Sequence, residues 1–372
     1  MLKAGFIGFG RMGITHFSIL NSHPSVEIVA VCDASKTMLN ILKKYVDVAV
    51  YTNYEKMLNE KDFDFLVVST PADSHAEIVK AGISKGLHIF VEKPFTLNTT
   101  QGKEILALSK VTKLVNQVGY VGRFHDVFME IKRLLDAELI GEIKRFKSEM
   151  VGATITKDAK NNWRGKKNLG GGCMYEFVSH CIDLVIHLLG QPDKVTGSHL
   201  QSIYSSDVED VVSSTFLYNN GMSGTVLANW SDESYRKPTN RIEIFGKKGK
   251  IIADQYSYKI FLKEDHPEEG LVKGWNTRYI TDIAESVRFD VRGRVYTRQL
   301  DYFVECIEQK RTDNISDFAE AIKTDIIMDE IRKDAVRTLS AETISQDTPA
   351  MLIKEPKQQS IWRKSLNLIG VK

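Results

Sequence analysis

Three groups of residues in this chain have the types and spacing that chemistry requires. Gly8-Phe9-Gly10-Arg11-Met12-Gly13 follows a short apolar run and opens a helical pattern. That order makes a tight turn, brings bare backbone up to a diphosphate and packs a helix closely, with free N–H groups and a positive dipole end aimed at the anion. Glu92-Lys93-Pro94 follows another apolar run. The proline ring and its restricted predecessor stiffen this loop, and an ammonium held there can stabilise an alkoxide or a developing oxyanion; a solvated loop lysine is the plainer alternative. Glu176, His180, Asp183 and His187 recur at steps of four, three and four, which places them on one helix face. A row of this kind without Lys or Arg reads as a lined cavity, at least at its first two positions.

Each candidate has a competing use. Asp33 ends a predicted strand, Val26 to Cys32, twenty-five residues after Gly8. A carboxylate there accepts hydrogen bonds from both hydroxyls of an adenosine ribose and repels a 2′-phosphate, which favours NAD over NADP. It also stands where it can cap the helix beginning near Ser35, and Lys36 leaves room for NADP. Phe9, Gly10, Arg11 and Met12 join the cofactor set. Thr70, His75 and Glu92-Lys93 fall at C-terminal strand ends, where ligands bind in doubly wound sheets; His75 reads equally as a surface histidine on a first helical turn. Arg123, just past the last strand of this unit, closes over the cofactor or touches the substrate. His180 suits general acid–base work, its ordinary pKa being about 6.5. Glu176 orients its ring or holds substrate hydroxyls, and Asp183 stabilises the imidazolium; a structural histidine between two carboxylates is the alternative. A metal site is not expected, because His187 lies about 10 Å beyond His180 along the helix.

The positioning elements follow from periodicity. The first third alternates apolar strands with helices, which is the pattern of a doubly wound parallel sheet. After Gly119-Tyr120-Val121-Gly122 the rhythm changes to a helix ending near Asp136 and then many strands with few intervening helices, a largely antiparallel open sheet. Within it a helix runs from about Cys173 to Leu189, preceded by Gly170-Gly171-Gly172 and closed by Gly190. The expected division is 1–122 for dinucleotide binding, 123–348 for substrate binding and oligomerisation, and 349–372 as a polar extension. Residues 274–294, rich in Arg and aromatics, read as an assembly arm or a lid. A large open sheet with apolar residues is a natural oligomer surface.

Composition narrows the class further. Among 372 residues, 50 Lys and Arg against 48 Asp and Glu give a net charge of +2, which argues against an electrostatic nucleic-acid partner. No uninterrupted apolar run reaches the roughly 18 residues of a membrane span, and the glycine-broken start makes a poor signal peptide. Four cysteines without CxxC spacing point to a reducing, cytoplasmic setting.

Taken together, the glycine motif, Asp33, Glu92-Lys93-Pro94, the triple glycine and His180 resemble the Gfo/Idh/MocA family of oxidoreductases over about residues 3 to 340. The resemblance implies an N-terminal Rossmann domain and a C-terminal α+β domain whose open sheet carries the oligomer contacts. It also implies NAD(P)-dependent oxidation or reduction of a carbinol carbon in a sugar, cyclitol or nucleotide-linked sugar. Lys93 corresponds to the lysine of the Glu-Lys-Pro motif and His180 to the histidine ending Asp-x-x-x-His. Here Glu176 replaces that aspartate and Val178 the usual glycine. Trp163 and Arg164 match the substrate-side segment, and Tyr235 with the basic residues Lys166, Lys167, Arg236 and Lys237 suits a phosphorylated or nucleotide-linked sugar or simply solvated loops. An NAD-dependent glycoside hydrolase and a non-catalytic dinucleotide-binding protein are the alternatives on the same scaffold.

Overall fold

The computed structural model describes residues 1–157 and 163–345. The expected polar extension from residue 349 lies outside the described residues. Six short runs, β1 (Leu2–Ile7), β2 (Val26–Cys32), β3 (Ala49–Tyr51), β4 (Phe65–Val68), β5 (His88–Val91) and β6 (Asn116–Val118), form one sheet in the order β3-β2-β1-β4-β5-β6. Every pair is parallel. Helices α1 (Arg11–Leu20), α2 (Lys36–Leu42), α3 (Tyr54–Glu60), α4 (His75–Ser84) and α5 (Thr99–Lys110) make the crossovers. Covered on both faces, β4 is buried at all four positions, which is why its sequence is continuously apolar rather than alternating. Strand order reverses between β1 and β4, so the loops after Ile7, Val68 and Val91 border one crevice.

Helix starts are set by side-chain caps. Ser35, Asn53 and Asn98 each accept a hydrogen bond from a first-turn N–H of α2, α3 and α5. α4 has no side-chain cap: the Ser74 hydroxyl donates to Thr70 Oγ1 at 2.8 Å and ties the end of the β4 loop to the helix instead.

The second sheet holds β7 (Ile143–Val151), β8 (Lys194–Gln201), β9 (Val211–Leu217), β10 (Ser223–Asn229), β11 (Thr239–Gly246), β12 (Gly249–Ala253), β13 (Ser257–Leu262) and β14 (Gly274–Tyr279). Its order is β14-β13-β12-β11-β7-β10-β9-β8, antiparallel throughout except for the β7–β10 pair. Burial alternates along β9 and β10. The inner face, including Val212, Phe216, Val226, Ile244 and Ile260, packs with α6 (Asp126–Asp136) and α7 (Ser179–Leu189) in one core.

Residues 274–294, expected as an assembly arm or a lid, run along the edge of the second sheet and on to the first domain. They form the edge strand β14 and the short α8 (Ile280–Ile283), after which Phe289 and Val291 pack on the first domain's core. The pattern was hidden because an edge strand need bury little: Trp275 and Tyr279 are exposed.

A cut between residues 122 and 123 separates the two sheets but not the two cores. α9 (Arg294–Glu308) returns to the first sheet, where Phe303 meets Phe65 and Phe90 edge-on at 5.6 and 5.8 Å. α10 (Phe318–Ser345) starts in the same domain through Phe318, Ala321 and Ile322, then enters the second core through Ile327, Met328 and Ile331. The stretch Lys167–Leu189 is long and apolar enough to cross a membrane by length and composition. Here that composition serves a helix buried nearly all round, with Cys181, Ile182, Leu184, Val185 and Ile186 all inside.

Candidate active site

The nucleotide loop is built by backbone geometry. Gly8 sits at φ +93°, and a Cβ there would lie 2.6 Å from the Ser69 carbonyl carbon. A Cβ on Gly13 would lie 2.2 Å from Gly8 O, so only glycine lets α1 press against the turn. Gly13→Ala should therefore distort the loop, cost about 1–3 kcal/mol of stability and abolish dinucleotide binding; urea unfolding with a cofactor fluorescence titration checks both. Gly10 differs. It is exposed, nothing lies within 4 Å of its absent Cβ, and α1 has no side-chain cap there. Bare backbone with uncapped N–H groups at the start of a ten-residue helix fits the diphosphate of a dinucleotide. Arg11 is exposed and Met12 half-buried beside it, whereas the Phe9 ring is buried edge-on against Phe17 at 5.3 Å. Only the Phe9 main chain is left to a ligand.

Asp33 holds this loop. Its Oδ2 accepts from Phe9 N at 2.6 Å and its Oδ1 from Ser35 N at 2.7 Å. The α2 cap is Ser35 itself, so the carboxylate braces the glycine turn and stays half-exposed at the end of β2, where ribose hydroxyls would meet it.

Three expected cofactor residues, His75, Arg123 and Glu92, have other tasks. His75 is 1% exposed, with Nδ1 3.0 Å from Pro94 O and Nε2 3.0 Å from Thr70 O. It is neither a surface histidine nor open to a ligand; it fills the gap between the loop after β4 and the loop after β5, the neutral ring donating to one of the two carbonyls, and burial lowers its pKa. Arg123 is also 1% exposed. Its Nη2 lies 2.8 Å and its Nε 2.9 Å from Asp183 Oδ1, and Nη1 donates to Ile315 O. Asp183 is therefore no partner for the His180 imidazolium: one turn along α7 the face has passed from the cavity into the core. Arg123→Ala should destabilise the fold by about 3–5 kcal/mol, because it strands a buried carboxylate; the urea midpoint reads this.

Glu92 is buried behind the loop. Its Oε1 lies 2.6 Å from His16 Nε2 on α1, and its Oε2 accepts from Lys93 N at 3.1 Å. A carboxylate so enclosed reaches no ligand through its side chain; it fixes the Lys93 backbone relative to the nucleotide-binding helix. His16 carried no motif that singled it out. The Lys93–Pro94 peptide is cis.

Lys93 then crosses to the second domain. Its Nζ lies 3.1 Å from Glu176 Oε1, and Arg164 Nε lies 3.4 Å from Glu176 Oε2. Glu176 belongs to a single π-helical turn, Met174–Val178, that precedes α7, and such turns are frequent at functional sites. Glu209 Oε1 caps this turn by accepting from Met174 N at 2.8 Å. Burial would raise the Glu176 carboxyl, but Lys93 and then Arg164 outweigh it and hold it below the ordinary glutamate value. His180 is half-buried in the first turn of α7. Burial first and the Lys93 charge second push its imidazole down to about 3, against the weaker pull of Glu176 and Glu92. His180 is thus neutral at neutral pH.

The remaining candidates line the approach. The Arg164 guanidinium stacks over the Trp163 ring at 4.8 Å, with that ring 39% exposed. Thr70 is half-buried beside the β4 end. Tyr235 is half-buried in the loop after β10, its N–H donated to Asp232 O. Among the described residues no cluster of three or more His, Cys, Asp or Glu could hold a metal ion.

Comparison with known proteins gives the same outline. Residues 2–120 match the oxidoreductase family described by its NAD-binding Rossmann fold, and residues 128–252 match the GFO/IDH/MocA C-terminal domain. An uncharacterised oxidoreductase of Escherichia coli (strain K12) is 28% identical over 52% of this chain and 56% of its own length. The chain spans about half the length of this and several other curated relatives. The NAD(+)-dependent scyllo-inositol 2-dehydrogenase of Bacillus subtilis (strain 168) is 25% identical over 87% of this chain and 92% of its own. Among solved structures, a levoglucosan dehydrogenase in complex with NADH and levoglucosan superposes with a TM-score of 0.81 at 20% identity, covering 90% of this chain and 97% of that one. The last likeness is one of fold.

Proposed function

Because the chain belongs to the Gfo/Idh/MocA family of oxidoreductases, we propose that it transfers a hydride between NAD(H) and a secondary alcohol or ketone carbon of a sugar, cyclitol or nucleotide-linked sugar. The observation that carries this reading is the meeting of Lys93 and Glu176 across the domain boundary, at 3.1 Å, with His180 one turn beyond. Asp33 at the β2 end supports NAD rather than NADP. Bound NAD supplies the hydride acceptor. Neutral His180 takes the hydroxyl proton as the C–H bond breaks, and the Lys93 ammonium stabilises the negative charge that builds on that oxygen. Glu176 steadies Lys93 through one oxygen and, backed by Arg164, orients neighbouring hydroxyls. Reduction runs the same path backwards, with the imidazolium returning the proton.

Trp163 and Arg164 offer an aromatic face and a cation at the entrance, and exposed Lys166 and Lys167 nearby support a phosphorylated or nucleotide-linked substrate. Exposed Phe245, Phe261 and Trp275 on the eight-stranded sheet support a homodimer or homotetramer formed through that sheet. Four buried, unpaired cysteines suit a reducing compartment such as the cytoplasm. The experiment is absorbance at 340 nm with NAD against free, phosphorylated and nucleotide-linked sugars. A steady rise with at least one class is expected. Turnover with tightly retained NAD and no net rise would instead mark a glycoside hydrolase, and no turnover with any class would favour a binding protein.

A further inference from the structure

α10 touches both halves of the site, and nothing in its local sequence pattern announces that. Toward the first domain, Phe318 stacks on Phe95 with ring centroids 4.6 Å apart. Asp325 Oδ2 accepts from Thr96 N at 3.1 Å and lies 2.7 Å from Thr96 Oγ1. Asp329 Oδ2 accepts from Thr99 N at 3.0 Å and from the Thr99 hydroxyl. Residues 95–99 are the segment directly after Lys93-Pro94. Toward the second domain, the Arg332 guanidinium lies over the Tyr175 ring at 4.5 Å. Tyr175 neighbours Glu176 in the π-helical turn and donates its hydroxyl to Leu97 O at 2.7 Å. Asp325, Asp329 and Arg332, spaced by four and three, share one helix face. The helix is embedded in both cores and is tied further to β8 by Asp334, which accepts from Ser198 N at 2.7 Å. A continuous helix fixed in one domain through Phe318–Ile322 and in the other through Ile327–Asp334 acts as a spacer, because packed interiors resist small displacements.

The Thr96 hydroxyl has one proton and two oxygens to serve, Asn98 O at 2.8 Å and Asp325 Oδ2 at 2.7 Å. Both contacts are satisfied when Asp325 carries a proton and donates it to Thr96 Oγ1. Burial pushes the Asp325 carboxyl well above the usual carboxylate range, in the same direction. Asp325 then bears no charge, and its side chain is 2% exposed.

We propose that α10 sets the gap between Lys93 and Glu176, with Asp325, Asp329 and Arg332 as positioning residues that touch neither substrate nor cofactor. The kinetic consequence rests on the dehydrogenase reading; the geometric one does not. The test compares wild type with Asp325→Ala, Asp325→Asn and Arg332→Leu, each well below its Tm. The first readout is acylation of Lys93 by an N-hydroxysuccinimide ester, followed by peptide mass spectrometry with exposed Lys273 as reference. Asp325→Ala and Arg332→Leu should label Lys93 several-fold faster relative to Lys273 as the ion pair with Glu176 loosens. The second readout is kinetic: kcat should fall about 10- to 100-fold, since misplacement of about 1 Å costs that much, with the affinity for NADH unchanged. Asp325→Asn, neutral but unable through one atom both to accept from Thr96 N and to donate to Thr96 Oγ1, should fall between wild type and Asp325→Ala in both. If Asp325→Ala does not fold, Asp329→Ala, which removes a partly exposed contact, carries the same expectations. Unchanged labelling and unchanged kcat with only a lowered Tm would overturn the proposal. Faster labelling in a protein that oxidises no sugar would uphold the spacer and sink the dehydrogenase reading.

Discussion

Lys93→Ala should lower kcat/KM for sugar oxidation by about 10²–10³-fold while leaving NADH affinity unchanged. The size follows from removing one preorganised charge aimed at a developing oxyanion in a half-buried site. The separation of binding from chemistry follows from position. Lys93 lies at the end of β5 and reaches across to Glu176, whereas the diphosphate cradle at Gly8 to Gly13 and the Asp33 carboxylate are assembled without it. Lys93→Arg should rescue little, because a planar guanidinium cannot substitute for a compact ammonium in a pocket already holding Arg164 beside Glu176. Steady-state kinetics with a fluorescence titration of NADH test this directly; equal loss of affinity and rate would assign Lys93 to cofactor binding instead.

His180→Asn should cost about 10²–10⁴-fold in kcat, the usual value of a positioned acid–base group. The pH dependence is the sharper test. Burial and Lys93 push the imidazole down to about 3, so the fold holds it neutral while the unfolded chain binds a proton near pH 6.5. Between those values the unfolded state binds more protons. The stability that His180 contributes is therefore full above about pH 6.5 and is lost as pH falls toward 3. His187, lowered by burial to about 4, and His75, lowered by burial, act in the same direction. The urea midpoint should drop from pH 7 to pH 4.5, and less steeply in His180→Asn. In the rate, the acid limb of kcat/KM in wild type should not carry an ordinary histidine pKa, and removal of the Lys93 charge should shift it upward. A wild-type limb near 6.5 would mean that His180 is neither so buried nor so close to Lys93.

The parallel sheet was legible because its central strands, β4 above all, are buried on both faces and read as apolar runs. Lys93 and the Glu176–His180 pair were legible because each is written in contiguous residues or in one helical period. What sequence could not show is pairing at long range. Asp183 shares a helical face with His180 on paper, yet the π-helical turn and the packing of α7 send it to Arg123, sixty positions earlier in the chain. His75 and Glu92 carry polar side chains at strand ends, the usual place for ligand contacts, but both are spent on holding loops together. Asp325, Asp329 and Arg332 look like ordinary helix-surface charges, because Thr96 and Thr99, which the two carboxylates meet, lie about 230 residues away, and the Tyr175 ring under Arg332 belongs to another element. β14 escaped detection as an edge strand with exposed aromatics.

The most direct test is a crystal structure of the protein with NADH and a sugar that turns over. Lys93 Nζ and a His180 ring nitrogen should both stand within hydrogen-bond distance of the same substrate oxygen, on the carbon facing nicotinamide C4. A complex in which either group lies more than about 10 Å from C4, beyond the reach of any hydrogen bond, would contradict the account.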